Sequence, residues 1–344
     1  MVASGGVVVG PRLVLRWATK DISQVKALQD VPASIDGPIN ILLLGMDERD
    51  GEEAEGAIRA DSIIIAHIPA SHDQVYLISI PRDTEVAIPA YPKTNYQGTD
   101  ADKINAAFAF GATKNGQPDD SPDGRGRGGE LTAETINKLV PGGLTFNAMV
   151  ILNYDGFLDI LNVLGGVDMC VDEDVYSIHY NADGTKATHG DLPDGVGYHY
   201  KPGCYHMEPW QALDYSRQRH LPNGDYDRQR HQQQLIKAIL NKMTSTGVLT
   251  NVGTLLDLQK AAGNLVTMDL GSVGIDEWFF TMSKLRPDDL TMVRTNGGTF
   301  YSAGAQDAGN QTLSPDSMTL LQAVAQDKVL DFLTLHQDWV SQDR

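Results

Sequence analysis

The sequence predicts an α/β protein: a single domain with a central mixed β-sheet flanked by helices in αβα layers. Three observations carry that expectation. Short runs rich in Ile and Val, "INILLLGMD" (39–47), "DSIIIAHI" (61–68) and "QVYLISIPRD" (74–83), have the length and composition of buried strands. Stretches with helical periodicity alternate with them, above all "DYDRQRHQQQLIKAILNKM" (225–243), where Leu235, Ile236, Ile239, Leu240 and Met243 share one face. The alternation runs on without an obvious linker or internal repeat, the pattern of a layered α/β or α+β fold.

Taken in order, the first strand ends in Gly45, Met46 and the carboxylate Asp47, which puts chemistry at its C-terminal tip. "SHDQ" (71–74) is a turn, so the second and third strands read as a hairpin, stopped by Pro81, which has no N–H for a ladder. "KINAAFAFG" (103–111) is a short helix with Gly111 as its C-cap. "TKNGQPDDSPDGRGRGG" (113–129) has turn residues and no apolar periodicity, and is expected to be a mobile surface loop, a candidate lid. "ELTAETINKLV" (130–140) is a helix ended by Pro141. "NAMVILNYDGFLDILNVLGGVDMCVDEDV" (147–175) reads as strand, helix, Gly-Gly turn and strand. Residues 176–203 form a polar loop or small hairpin, and "EPWQALDYSRQRH" (208–220) is helical by pattern. Beyond residue 250, "VGTLLDLQKAAG", "SVGIDEWFFTMSKL" and "SPDSMTLLQAVAQD" read as helices and "LTMVRT" as a strand.

Charge narrows the functions. The chain has 344 residues with 27 Lys and Arg against 45 Asp and Glu, a net charge of −18. Phosphate backbones are repelled at long range by such a field, so no nucleic acid is expected as a partner. An anionic ligand must then be gripped by a local cluster, and "DYSRQRHLPNGDYDRQRHQQQ" (214–234) supplies one with Arg217, Arg219, Arg228 and Arg230. Residues two apart on a helix do not share a face, so Arg217 and Arg219 are better explained by a frayed helix end where both converge on one anion. Arg fits that task because its planar fork bonds phosphate oxygens in pairs. A helix starting near Asp225 would add the favourable end of its dipole. Arg230 is left as a solvated residue. Asp47 and Asp61 stand at strand boundaries; if those strands pair antiparallel, both carboxylates reach one sheet edge, a hard-oxygen pair suited to Mg²⁺.

Other chemistry finds no motif: HExxH, CxxC pairs, G-x-S-x-G and a P-loop are missing, and the nine histidines show no metal spacing. No apolar run reaches the roughly 20 residues of a membrane span. "GGVVVGPRLVLRW" (5–17) is either a disordered leader or a juxtamembrane stub from which an anchor was trimmed. Cys170 and Cys204 are either a disulfide, stabilising by roughly 3–4 kcal/mol, or two buried thiols.

The ordered series "ILLLGMDER", "RADSIIIAHI", "VYLISIPRDTEV", "KINAAFAFG", "LNYDGFLDILNVLGGVDMCV", "QALDYSRQRH" and "NGDYDRQRHQQQLI" resembles the LytR-CpsA-Psr family, most closely its actinobacterial members. The resemblance divides the chain into 1–35, a leader or stub, and 36–344, a catalytic domain of the LytR-CpsA-Psr fold. Its motif-bearing core is 39–243, with a less typical part at 244–344. The family implies an extracytoplasmic, membrane-anchored enzyme of Gram-positive wall assembly. Such enzymes move a glycopolymer from a polyprenyl-pyrophosphate carrier onto peptidoglycan, at the muramic acid C6 hydroxyl. The polymer is arabinogalactan, a teichoic-acid-like chain or a capsule. By motif, Asp47 and Asp61 would hold Mg²⁺ (or Mn²⁺), with either as candidate base. Arg82, Arg217, Arg219 and Arg228 would grip the pyrophosphate, with Arg59, Lys103 and Asn105 close by and Arg49 and Asp83 also at motif positions. The family's oxidising location implies a Cys170–Cys204 disulfide. Phe108, Phe110, Phe157 and Leu161 are candidates for a lipid groove or for plain core. Two features depart from the pattern: Arg-Ala-Asp (59–61) stands where Arg-Ser-Asp is usual, and no membrane helix precedes the domain. A polyprenyl-pyrophosphatase and a non-catalytic lipid-binding or regulatory module are the competing readings.

Overall fold

The computed structural model describes residues 23–46, 58–188, 191–218, 221–245, 254, 257–258, 260–261, 263, 266–282, 285–306 and 309–341. Its centre is a sheet whose strands are β1 (Ser23–Gln24), β2 (Ile39–Met46), β3 (Ala60–Ile68), β4 (Val75–Ile80), β5 (Ala148–Asn153), β6 (Val266–Asp269) and β7 (Leu290–Arg294). Their spatial order is β1-β6-β5-β2-β3-β4-β7. β2–β3, β3–β4 and β5–β6 pair antiparallel, while β1–β6, β2–β5 and β4–β7 are parallel, so the sheet is mixed as expected.

The helices are α1 (Ile104–Gly111), α2 (Pro122–Leu139), α3 (Tyr154–Leu164), α4 (Pro209–Tyr215), α5 (Asp225–Ser245), α6 (Ile275–Met282), α7 (Pro315–Ala325) and α8 (Val329–Leu335). Alternation along β2 sorts the layers. Leu42 and Leu44 face a core shared with Phe108 of α1, Leu131 and Ile136 of α2, and Leu320 and Leu321 of α7. Ile41 and Leu43 face the other side, with Ile236 of α5 and Trp278 of α6. A third cluster joins α3, α4 and α5 to the strand 167–171, which pairs with 203–207. Cys170 and Cys204 lie directly opposite one another on that ribbon and are joined by a disulfide.

Three expectations need correction. Residues 113–129 are not a mobile loop: a short hairpin (113–114 with 117–118) leads into α2, which contains "PDGRGRGG". Ser121 caps α2 by accepting from Gly124 N–H at 3.2 Å, and Pro122 begins it. The glycines are helical because neighbours come too close for side chains. A Cβ on Gly128 would stand 2.8 Å from the Phe108 carbonyl oxygen, and one on Gly129 2.3 Å from Met149 Sδ. Small residues made for packing therefore resembled a loop. Gly111 is the last helical residue of α1, and Ala112 caps it.

The boundary at residue 36 falls inside the fold. β1 extends the sheet edge, and Ala27 and Leu28 donate their N–H groups to Asp269 Oδ2 at 2.6 and 2.8 Å. Residues 1–22 and most of "VGTLLDLQKAAG" lie outside the described residues. Among the described residues no helix is long and apolar enough to cross a membrane. β6 and α8 carried too little periodicity to be read from sequence.

Candidate active site

The topology gathers the candidates at one end of the sheet. The C-terminal ends of β2, β4, β5 and β7 and the start of β3 all lie there, where an open sheet exposes its loops. β3 opens with a bulge: Gly45 pairs with Ser62 and Met46 with Ala60, leaving Asp61 as the extra residue. A bulge re-aims the inserted side chain. Gly45 makes the close approach possible, since a Cβ there would sit 3.1 Å from Ser62 Cβ.

The Asp61 carboxylate is bonded by Arg82 Nη1, just past the end of β4. Asp83 faces Lys103, with Nζ at 3.0 Å from Oδ1. Asn105, buried at the start of α1, ties this segment down. Its N–H donates to the Arg82 carbonyl at 3.2 Å, and its Oδ1 accepts from Arg59 Nη1 at 3.4 Å. Arg228 in the first turn of α5 donates from Nη2 to the Asp61 carbonyl at 3.0 Å and pairs with Asp225. Arg228 is only 2% exposed. Burial works against the charge on Arg82, but Asp61, Asp83 and Asp225 more than offset it and hold its pKa above the ordinary arginine value. Among the described residues, the Nε–H groups of Arg82 and Arg228 are buried without a hydrogen-bond partner. Arg82 Nε stands 3.8 Å from Asp83 Oδ2, too far for a hydrogen bond, and two such guanidinium donors in one cluster are suited to an anion.

Arg59, Asp61, Arg82, Asp83, Lys103, Asn105 and Arg228 are thus in one network. Asp47, Arg49 and Arg219 lie outside the described residues. Arg217 is half-buried just beyond α4. Its neighbour Gln218 is fully buried and anchors that turn, donating from Nε2 to Asp214 Oδ1 and accepting from Ile178 N–H. α5 does begin at Asp225, as expected, but its first turn already carries Asp225 and Asp227 at the positive end of the dipole.

Arg230 is not solvated. Its guanidinium meets Asp172 at 2.7 Å, Glu173 at 2.6 Å and Asp227 at 2.6 Å, with His231 beside it. Asp172, Glu173 and His231 are the three-residue cluster with metal-ligand spacing among the described residues, and Arg230 supplies its positive charge. Burial alone would raise the Asp172 pKa, yet the His231 hydrogen bond and Arg230 hold it well below the carboxylate range. Burial raises that of Glu173.

The four groove candidates separate. Phe108 and Phe110 belong to the core on the α1–α2 face, and Phe157 and Leu161 to the third cluster, so they share no wall. Sequence reasoning missed a different strip. Leu43, Val150 and Met268 are aligned across β2, β5 and β6 and only half-buried, with Ile41 and Leu152 beside them. These positions give that face of the sheet a half-buried apolar strip beside Ile236 and Trp278. The alternation along β2 and β5 was the available signal.

The structure is thus an α/β domain whose mixed sheet gathers arginines and carboxylates at one end. The sequence profile of the LytR-cpsA-psr family matches residues 16–324, and the chain belongs to that family. It is 31% identical over 252 residues to the polyisoprenyl-teichoic acid–peptidoglycan teichoic acid transferase TagU of Oceanobacillus iheyensis, covering 73% of this chain and 62% of the relative. TagU of Bacillus cereus (strain ATCC 14579) is 29% identical over 246 residues, 71% of this chain and 66% of the relative. The chain thus spans about two thirds or less of the length of these relatives. Among solved structures, B. subtilis TagV superposes with a TM-score of 0.60 at 20% identity, covering 86% of this chain and 98% of that one. TagT bound to LI-WTA gives 0.58 at 20% identity, with 89% and 96% covered. These likenesses confirm the fold.

Proposed function

We propose that this chain is a phosphotransferase that moves a glycopolymer from a polyprenyl-pyrophosphate carrier onto peptidoglycan, at the muramic acid C6 hydroxyl, outside the cytoplasm and anchored to the membrane. The observation that carries the reading is one network in which Arg82 and Arg228 contact Asp61, Lys103 pairs with Asp83 and Arg59 reaches Asn105, with the buried Nε–H groups of Arg82 and Arg228 making no hydrogen bond, in a protein of net charge −18. The names of the TagU relatives supply the substrate class. The half-buried strip of Ile41, Leu43 and Val150 offers apolar surface for the polyprenyl chain.

In the reaction, the acceptor oxygen bonds to the phosphorus that carries the polymer. The bond from that phosphorus to the bridging oxygen breaks, and its electron pair leaves on the lipid monophosphate. The acceptor proton passes to a carboxylate, Asp61 or Asp47. Such a step needs alignment and charge neutralisation more than covalent chemistry by the protein. Arg82 meets the Asp61 carboxylate and Arg228 the Asp61 carbonyl, and the two would hold the pyrophosphate between them. Hard carboxylate oxygens at the bulge fit Mg²⁺ or Mn²⁺, which Asp61 would hold with Asp47. When bound, the ion would neutralise charge on the leaving phosphate.

The test is to supply lipid-linked polymer with and without peptidoglycan. Polymer bound to the wall material supports transfer. Release of phosphate alone makes the protein a pyrophosphatase, and retention of lipid without turnover makes it a binding module.

A further inference from the structure

The C-terminal part of the chain contributes a buried hydrogen-bonded bridge between the two sides of the site. Tyr226 lies two residues before Arg228 in the first turn of α5 and is 3% exposed. Its hydroxyl donates to Gln311 Oε1 at 2.9 Å and accepts from Asn296 Nδ2 at 2.9 Å. Gln311 is buried too, and its backbone continues to the other side: its N–H donates to the Asp83 carbonyl at 3.2 Å, and its carbonyl accepts from Glu85 N–H at 2.7 Å. The path from Arg82 to Arg228 therefore runs through Asp83, Gln311 and Tyr226. Asn296 locks it from behind. Its Nδ2 also donates to the Thr312 carbonyl at 3.0 Å, and its Oδ1 accepts from Ser314 N–H at 2.8 Å and Ser317 Oγ at 2.7 Å. All of its side-chain hydrogen-bonding capacity is used.

We propose that Tyr226 and Gln311, backed by Asn296, are positioning residues that set the separation of Arg82 and Arg228 for phosphoryl transfer. The proposal rests on the function given above. A phenylalanine would fill the space of Tyr226 equally well, so packing does not account for the hydroxyl. Its two bonds reach segments 70 and 85 residues away in sequence. A fully satisfied buried network specifies one arrangement, because any shift strands a polar group. Burial pushes the Tyr226 pKa up to about 12, with the Asn296 bond opposing, so the hydroxyl keeps its proton at neutral pH. Misplacement of an aligned group by a fraction of its contact distance is expensive in rate.

The experiment compares Tyr226→Phe, Gln311→Ala and the double variant for kcat and KM. Geranylgeranyl pyrophosphate serves as the minimal probe, and lipid-linked polymer with peptidoglycan as the full reaction. Thermal unfolding and hydrogen exchange accompany both. Each single variant should lose about ten- to a hundredfold in kcat with little change in KM. The double variant should fall no further than the worse single, since both cut the same tie. Amides of 83–85 and 226–229 should lose protection together. Unchanged kcat in folded variants, or additive losses, overturns the proposal. If the wild-type protein turns over neither substrate, the functional reading fails, and exchange alone decides the clamp: undiminished protection of both segments in Tyr226→Phe overturns it.

Discussion

Substituting Arg228 by lysine keeps the charge and removes the fork. In the folded protein Arg228 uses Nη2 on the Asp61 carbonyl at 3.0 Å, pairs with Asp225, and keeps Nε–H open at 2% exposure. A lysine ammonium is a single point at the end of a flexible stem, and it cannot hold the carbonyl and the carboxylate while presenting a further fixed donor. One charge-assisted hydrogen bond to the anion should be lost, about 1.5–3 kcal/mol, or about ten- to a hundredfold in kcat/KM. Stability should change less, because Asp225 keeps a cationic partner. The assay is transfer of polymer from lipid carrier to peptidoglycan under subsaturating lipid, with unfolding monitored in parallel. Arg228→Lys within about twofold of wild type would refute the reasoning, since it would mean that charge alone, without the fork, serves the site.

Three further outcomes are expected. Reducing the Cys170–Cys204 disulfide, or replacing both cysteines by serine, should cost about 4 kcal/mol for a closed loop of 34 residues. For a chain of 344 residues that is a fall of about 5 °C in Tm, seen by calorimetry with and without reductant; no shift would contradict it. The depressed Asp172 pKa means that the unfolded state binds its proton first. Its contribution is therefore complete above the ordinary carboxylate value, about pH 4, and is lost as pH falls through the lower folded value. Denaturant unfolding between neutral and acid pH should show this slope, and Arg230→Met should flatten it. Gly128→Ala should destabilise by about 1–3 kcal/mol although alanine favours helix, because the added Cβ meets the Phe108 carbonyl. A stabilised variant would contradict the close α1–α2 approach.

Much of the sheet was legible because strand burial leaves a local trace. β2, β3 and β4 are dominated by Ile, Leu and Val, and Pro81 and the "SHDQ" turn mark their limits. α5 was legible from its helical periodicity, whereas the disulfide was implied only by the family resemblance, and the structure shows it. α2 was not, because its glycines answer to Phe108 and Met149, which are distant in sequence, and helical packing can favour residues that local propensity disfavours. Arg230 was misread because its partners Asp172 and Glu173 belong to a strand end nearly sixty residues away.

By itself the sequence determined the residue chemistry: an acidic chain with a small set of arginines, carboxylates at strand ends, and a motif order that places it in its family. It also determined that β2, β3, β4, β5 and β7 become strands, since apolar patterning and β-branching act over a few residues. Only the tertiary structure decided how those groups meet. The bulge that turns Asp61 out, the partial opening of one sheet face, and the tie from Gln311 and Asn296 to Tyr226 depend on register and long-range packing. Those energies arise between segments that are far apart along the chain, and no local pattern records them.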